Sequence, residues 1–193
     1  MNEAFESDLQ PALNVLRAGG IILYPTDTVW GLGCDATNAA AVQKIFDLKQ
    51  RAEGKSMIVL VGGEREILQY IAAPDSAAFL FLEAQTTPTT VIFDGALHLA
   101  PNLIAPDGSV AIRIIAESFC RHLVKRLGRP IVSTSANRSG NPTPHLFKDI
   151  EPRIIAGVDY AVHYRRSDTS TTPPSQIIKW NRDGSHTVIR ANR

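Results

Sequence analysis

Short apolar runs alternate along the chain with amphipathic segments of helical period, which restricts the fold to an α/β class. Strands are predicted over residues 21–24, 57–61, 89–93, 110–114, 130–133, 158–162, 176–180 and 187–190. Helices are predicted around Leu9, Leu13 and Leu16 with Pro11 in the first turn, from the N-cap Asn38 to Lys49, and over 64–72, 75–83 and 118–127. No repeat or linker interrupts the pattern. The sequence therefore predicts a single domain over residues 1–193 with an open sheet of mixed direction flanked by helices.

Composition limits the cellular setting. The first ten residues, MNEAFESDLQ, lack the order of a signal peptide, and no apolar run approaches the ~20 residues of a membrane span. Cys34 and Cys120 lie far apart and form no CxxC pair, which argues against a disulfide scaffold or a zinc site. The five histidines show no metal-ligand spacing. We expect a cytoplasmic protein with no membrane partner and no dedicated metal site.

Charge is divided unevenly between the two parts of the chain. Residues 1–112 carry 6 Lys and Arg against 13 Asp and Glu, a net charge of −7, whereas residues 113–193 carry 14 against 6, a net charge of +8. Such asymmetry is typical of a protein whose basic part binds a polyanion. It is equally compatible with ion pairs between the two parts inside the fold.

Lys49 occupies an apolar position in the predicted helix after Asn38. Val42, Ile45, Phe46 and Lys49 follow one another at i, i+3, i+4 and i+7, so a lysine stands where an aliphatic residue belongs. Burying an unpaired ammonium is costly, which favours an anion or an open cleft at this face. The alternative is that Lys49 extends past the helix end, where a cation suits the helix dipole.

Two polar segments follow predicted strands. The segment IVSTSANRSG carries Ser133, Ser135 and Asn137 beyond an apolar strand, where hydroxyls, amides and backbone N–H groups can converge on phosphate oxygens. The segment YPTDTVWGLGCDAT presents Asp27, suited to an ammonium, and Thr28, suited to a carboxylate, before a predicted turn at residues 31–33. In both segments these residue types are also what ordinary loops contain, satisfying their own backbone.

The order of these segments carries a resemblance. GGIILYPTDTVWGLGCDATN, IFDLKQRAEGKSMIVLV, PTTVIF, SVAIRI and PIVSTSANRSGNPTP occur in the order and spacing of the YrdC-like family of threonylcarbamoyl-AMP synthases, and the chain closely resembles that family over residues 19–144. The resemblance implies a twisted α/β domain with an open mixed or antiparallel sheet and a concave basic cleft.

The resemblance also implies an activity. Members of the family condense L-threonine, bicarbonate or CO₂, and ATP into threonylcarbamoyl-AMP and pyrophosphate, and other proteins transfer the threonylcarbamoyl group to tRNA. The expected substrates are therefore L-threonine, bicarbonate and ATP, with Mg²⁺ accompanying the ATP through phosphate oxygens and water. The tRNA-modifying transfer proteins are expected partners, and the family's concave surface suggests binding of tRNA or double-stranded RNA.

Site residues follow from matched motif positions. The Lys-x-Arg motif at Lys49 and Arg51 implies the catalytic cations. The positions that the resemblance places at the nucleotide are Lys49, Arg51, Lys55, Ser135, Asn137, Ser175 and Arg190. Those that it places at the amino-acid substrate are Asp27, Thr28, Thr90, Arg113 and Ser133. Fixed cations and donors suit this chemistry, because phosphoryl substitution concentrates negative charge without needing a protein nucleophile.

Several positions depart from the family pattern. Ser56, Ile115, Gln176 and Lys179 replace residues that the family usually has, and Lys179 reverses a charge. Two other readings therefore stay open. One is a divergent paralogue, such as the YciO-like branch or the related carbamoyl-adenylate domain of hydrogenase maturation. The other is an RNA-binding module that uses the basic part of the chain, although only 7% of the residues are aromatic and no stacking platform stands out.

Overall fold

The computed structural model of the chain describes residues 4–51 and 57–191. Its helices are α1 Glu6–Arg17, α2 Ala39–Lys49, α3 Glu64–Tyr70, α4 Ser76–Glu83, α5 Ser118–Leu127 and α6 Pro152–Ala156. Its strands are β1 Ile22–Tyr24, β2 Gly31–Gly33, β3 Ile58–Val61, β4 Thr89–Phe93, β5 Val110–Ile114, β6 Ile131–Ser135, β7 Tyr160–Ala161, β8 Gln176–Trp180 and β9 His186–Arg190. The α/β class is confirmed.

The strands form one open sheet in the order β7-β1-β2-β6-β3-β5-β4-β8-β9. The pairs β1/β7, β3/β5 and β4/β8 are parallel, and the other five pairs are antiparallel. The predicted mixed sheet is therefore confirmed. Strands β1 and β3, which the sequence joins through one helix, are not neighbours, because β2 and β6 lie between them.

Each face of the sheet buries its own apolar cluster, because successive strand residues point to opposite faces. Leu23 of β1 belongs to the cluster that packs against α2, α3 and α4. Ile22 and Tyr24 on the same strand belong to the cluster under α1 and α5. Helix α2 begins where the sequence predicts, with the Asn38 side chain accepting a hydrogen bond from the N–H of Ala41 at 3.1 Å.

The predicted turn at residues 31–33 is wrong. These residues form β2, which pairs with β1 on one side and β6 on the other. The buried ring of Tyr24 explains Gly33, where a Cβ would lie 2.6 Å from Tyr24 Cε1, and the close approach of Ser133 restricts Gly31, where a Cβ would lie 3.2 Å from Ser133 Oγ. These glycines allow close approach of neighbouring side chains rather than a reversal of the chain.

Helix α1 starts earlier than predicted, so Pro11 lies in its second turn rather than its first. Proline there removes one backbone hydrogen bond. The helix persists because Leu9, Leu13 and Leu16 are all buried in the cluster shared with α5. The short helix α6 was not predicted.

Part of the uneven charge is paired between the two parts of the chain. Lys and Arg side chains from the second part of the chain pair with carboxylates of the first part in Arg113–Asp27, Arg126–Glu6, Arg129–Asp35, Lys179–Asp107 and Arg182–Asp94. Of the two explanations left open by the sequence, pairing between the parts therefore accounts for part of the asymmetry. None of the helices in the described part of the chain has the length and apolar content that crossing a membrane requires.

Candidate active site

A cavity of about 730 Å³, including its open mouth, lies against the sheet where several polar segments meet. Three of the described residues that line it are arginines, and none of those described is acidic. The site residues predicted from sequence that line it are Thr28, Arg51, Arg113, Ser133, Ser135, Ser175 and Arg190. Its lining of guanidinium and hydroxyl groups suits an anionic ligand.

Lys49 and Asn137 lie together directly behind this lining. Lys49 is 1% exposed, and its Nζ donates to the backbone carbonyls of Ser135 and Asn137, the latter at 2.6 Å. Burial, reinforced by the charge of Arg51, lowers the pKa of Lys49 to about 7. The side chain does not extend past the helix end. Instead it links the end of α2 to the Ser-x-Asn segment after β6.

Arg51 reaches the cavity through a left-handed residue. Gln50 ends α2 with φ 49°, and the N–H of Arg51 then donates to the carbonyl of Phe46 at 3.0 Å. Burial lowers the pKa of Arg51. The Lys-x-Arg motif thus places its lysine behind the wall and its arginine at the cavity.

One row of residues crosses the sheet at the site. Register pairs join Leu60 of β3 to Arg113 of β5, Arg113 to Thr90 of β4, Thr90 to Ile177 of β8, and Ile177 to Arg190 of β9. Paired residues share a face, so this row lies on the face that carries α1 and α5. A bulge makes the last pair possible: Val188 pairs with Ile178 and Arg190 with Ile177, which leaves Ile189 unpaired and turns Arg190 toward the cavity.

Arg113 is the most buried cation at the cavity, at 3% exposure. Its Nη1 donates to Thr28 Oγ1 at 3.3 Å, and its Nη2 lies 3.1 Å from Asp27 Oδ1. That ion pair is close but poorly aligned, and Nε and Nη2 of Arg113 make no hydrogen bond within residues 4–51 and 57–191. Nε is therefore a buried donor without a hydrogen-bond partner among these residues, while Nη2 is engaged in the ion pair with Asp27. Asp27 does not line the cavity but faces Arg113.

Thr90 and Ser175 support Arg190, a third arginine at the cavity. Thr90 is fully buried, and its Oγ1 lies 2.8 Å from Ser175 Oγ. The carbonyl of Ser175 accepts from Nε and Nη2 of Arg190 at 3.1 and 2.7 Å. Burial, with the nearby charge of Arg113, lowers the pKa of Arg190. Thr90 is therefore one step removed from the cavity and contacts it through Ser175.

The other site residues are one predicted position that the structure does not describe and several lining residues that the sequence did not predict. Lys55 lies outside the described residues. The lining residues that sequence reasoning did not assign include Thr134, Thr143 and Ile177. Thr134 lies inside the segment IVSTSANRSG, which the sequence analysis identified as polar. Ile177 precedes the buried Ile178 on β8, so the alternation of a strand predicts that it faces the other side of the sheet. Thr143, between two prolines, offers no such signal.

The side chains around the cavity indicate whether the protein itself could hold a metal ion. Among the residues that the structure describes, no group of three or more His, Cys, Asp or Glu could hold a metal ion. Hard cations such as Mg²⁺ prefer oxygen ligands, and the described lining offers hydroxyls but no carboxylate.

Fold and cavity together define a class: an α/β protein whose open sheet carries a cationic site for an anionic small molecule. The comparison with known families agrees, because the Sua5/YciO/YrdC family model, described as telomere recombination, matches residues 14–192. The chain belongs to this family.

Individual relatives extend the comparison. A threonylcarbamoyl-AMP synthase of Stenotrophomonas maltophilia is 34% identical over 157 residues, covering 80% of this chain and 84% of the relative. The crystal structure of P. abyssi Sua5 complexed with L-threonine matches 96% of this chain with a TM-score of 0.87 at 21% identity, and this chain spans 54% of that protein. E. coli YciO matches 96% of this chain and 89% of its own with a TM-score of 0.82 at 25% identity. These structures share the fold.

Proposed function

We propose that the protein is a threonylcarbamoyl-AMP synthase, which forms threonylcarbamoyl-AMP and pyrophosphate from L-threonine, bicarbonate or CO₂, and ATP. The observation that carries the proposal is the cavity lined by Arg51, Arg113 and Arg190, whose described lining includes no acidic residue although Asp27 faces Arg113 from outside it. Relatives of similar length are threonylcarbamoyl-AMP synthases, including that of Stenotrophomonas maltophilia. A reaction between a carboxylate-bearing substrate and a triphosphate suits such a lining.

The reaction requires charge neutralisation and alignment. The threonine amine first bonds to the carbon of CO₂ and loses a proton to solvent, which gives the threonine carbamate. An oxygen of this carbamate then attacks the α-phosphorus of ATP, a new O–P bond forms, and the bond between the α-phosphorus and the oxygen that bridges to the β-phosphorus breaks. Pyrophosphate leaves with the bonding electron pair. In this proposal Arg51 and Arg190 neutralise the phosphates, while Ser135 offers a hydroxyl donor at the same wall. Lys49 holds that wall through the carbonyls of Ser135 and Asn137.

The amino-acid end lies at Arg113 and Thr28. In this proposal the guanidinium of Arg113, whose Nε has no hydrogen-bond partner within residues 4–51 and 57–191, binds the threonine carboxylate together with the Thr28 hydroxyl. Mg²⁺ would be held by phosphate oxygens and water, because no carboxylate lines the described part of the cavity. The product would then supply proteins that transfer the threonylcarbamoyl group to tRNA.

Pyrophosphate release tests the proposal. Purified protein is incubated with ATP, Mg²⁺ and bicarbonate, with L-threonine, with L-serine or with no amino acid. The proposal requires release that depends on L-threonine. Equal release under all three conditions would instead assign the chain to a divergent YciO-like paralogue that retains only nucleotide chemistry.

Binding of RNA is a second candidate, favoured by one observation on α5. Arg121 and Lys125 are exposed one turn apart, and neither forms an ion pair with any residue in the described part of the chain. Free cations along a helix suit a phosphate backbone. Absence of turnover, together with tRNA binding that weakens steeply with salt, would support this candidate.

A further inference from the structure

The turn at residues 163–168 contacts the loop between β1 and β2 and has no role assigned so far. Its central residue, Arg165, has a left-handed backbone with φ 65°, which is unfavourable for a residue other than glycine or asparagine. Such a conformation persists where surrounding contacts hold it. The contacts of its side chain supply that hold.

The Arg165 guanidinium joins this turn to the loop. Its Nη1 donates to the backbone carbonyl of Thr26 at 3.0 Å, and its Nε donates to Asp168 Oδ2 at 2.6 Å. The side chain is 28% exposed and that of Asp168 36%, so the pair is partly shielded from water. Asp168 thereby fixes the direction in which the guanidinium meets Thr26.

Thr26 passes this constraint to the amino-acid end of the cavity. Its Oγ1 donates to the carbonyl of Val29 at 2.8 Å and accepts from the N–H of Thr28 at 3.0 Å. The Thr28 Oγ1 in turn accepts from Arg113 Nη1 at 3.3 Å. An unbroken series of contacts therefore runs from Arg165 through Thr26 and Thr28 to the buried arginine.

The loop lies between two cavities. Thr28 and Val29 line the cationic cavity and also a small pocket that Arg165 and Asp168 line. A second contact braces the same loop, because Arg166 lies 4.6 Å from the centre of the Phe147 ring, which packs edge-on against Trp30 at 4.9 Å. The turn therefore supports the loop from its other side.

We propose that Arg165 is a positioning residue that sets the place of Thr28 opposite Arg113, and so determines the affinity for the amino-acid substrate. The inference rests on the proposed function for the identity of that substrate. Arg165 does not line the cationic cavity within the described residues, so it acts through Thr26 and not by contact with a ligand.

Three variants test the inference. Arg165→Asn removes the guanidinium, and asparagine tolerates the left-handed backbone. Arg165→Lys retains a cationic donor but lacks the planar guanidinium that contacts Thr26 and Asp168 together. Asp168→Asn keeps the guanidinium and removes its charged partner. The control is Arg153→Asn, at an exposed arginine of α6.

Two measurements are made on each variant. In the ligand-free protein, exchange of the Thr28 amide hydrogen is followed by NMR, and the exchange rate is expected to rise about tenfold in Arg165→Asn. In the pyrophosphate assay, KM for L-threonine is expected to rise about tenfold while KM for ATP stays within about twofold. Arg165→Lys should recover part of both losses, and Asp168→Asn should show a smaller change in the same direction.

The outcomes separate the two proposals. If wild-type protein releases no threonine-dependent pyrophosphate, the proposed function fails, and the exchange of the Thr28 amide still decides whether Arg165 positions the loop. Unchanged exchange in Arg165→Asn and in Asp168→Asn would overturn the inference. Equal increases of KM for both substrates would overturn it as well, because they would indicate a general loss of structure.

Discussion

The Nζ of Lys49 lies 2.6 Å from the carbonyl oxygen of Asn137 and also donates to the carbonyl of Ser135. The lysine of the Lys-x-Arg motif therefore ties the end of α2 to the segment after β6. Its ammonium serves the shape of the cavity wall, while the neighbouring Arg51 lines the cavity itself.

Lys49→Met should reduce kcat/KM for pyrophosphate release about 100-fold, because a displaced cavity wall misaligns the groups that bind the substrates. Methionine keeps most of the volume but leaves two buried carbonyls without a donor, which alone would cost about 1–3 kcal/mol of stability. Removing a desolvated charge opposes that cost, so the free energy of unfolding should change by less than this amount. Lys148→Met, at an exposed lysine, is the control. Near-normal turnover in Lys49→Met would contradict the assigned role.

Stability of the ligand-free protein should rise with pH just above neutrality because of Lys49. Its folded pKa of about 7 lies below the ordinary value of 10.5, so between these values the unfolded chain holds a proton that the folded chain has released. The free energy of unfolding should increase by about 1 kcal/mol from pH 7 to pH 8 from this group.

Urea denaturation of wild type and Lys49→Met at both pH values isolates this contribution. Burial raises the pKa of the Cys34 and Cys120 thiols, which act in the opposite direction at higher pH and limit the useful window. The difference between the two proteins removes that effect. Parallel pH dependences in both proteins would rule out a depressed lysine pKa.

Thr90→Val should weaken ATP binding through Ser175 and Arg190. Valine has the shape of threonine but removes the hydroxyl that meets Ser175 Oγ at 2.8 Å. We expect a loss of about 1 kcal/mol in the free energy of unfolding and a several-fold increase in KM for ATP. Thr90→Ser, which keeps the hydroxyl, should behave almost as wild type, and equal defects in both variants would argue against the hydroxyl contact.

The parts of the fold that the sequence predicted are those with strong local signals. The predicted bounds match the structure at both ends for strands 89–93, 110–114 and 176–180 and for helix 118–127. The carboxyl end of this helix is predictable because Gly128 supplies a left-handed cap with φ 70°. Strand β2 gave no such signal, since two of its three residues are glycines. Gly33 is explained by the Tyr24 ring, which becomes its neighbour only through the pairing of β1 and β2.

The same limit applies to the site. Motif order indicated which residues would surround the cavity, and Arg51, Ser135 and Arg190 do line it. Arg190 reaches the cavity because a bulge at Ile189 interrupts the alternation of side chains along β9. Sequence could not show this, since regular alternation would place Arg190 on the same face of the sheet as Val188. Nor could it show that Asp27 faces Arg113, because that contact joins the loop between β1 and β2 to strand β5, which is distant in sequence.

Arg113→Lys should separate binding of the amino acid from binding of the nucleotide. Lysine keeps the positive charge near Arg190, so KM for ATP should stay within about threefold, but it lacks the planar pair of N–H groups that a carboxylate accepts. We expect KM for L-threonine to increase at least tenfold. Asp27→Asn provides the matched comparison, because it leaves Arg113 intact while weakening its 3.1 Å ion pair, and its effect on KM should be smaller. Steady-state pyrophosphate release measured against each substrate distinguishes these results. An Arg113→Lys variant whose defect lies in KM for ATP would instead assign this arginine to the phosphates.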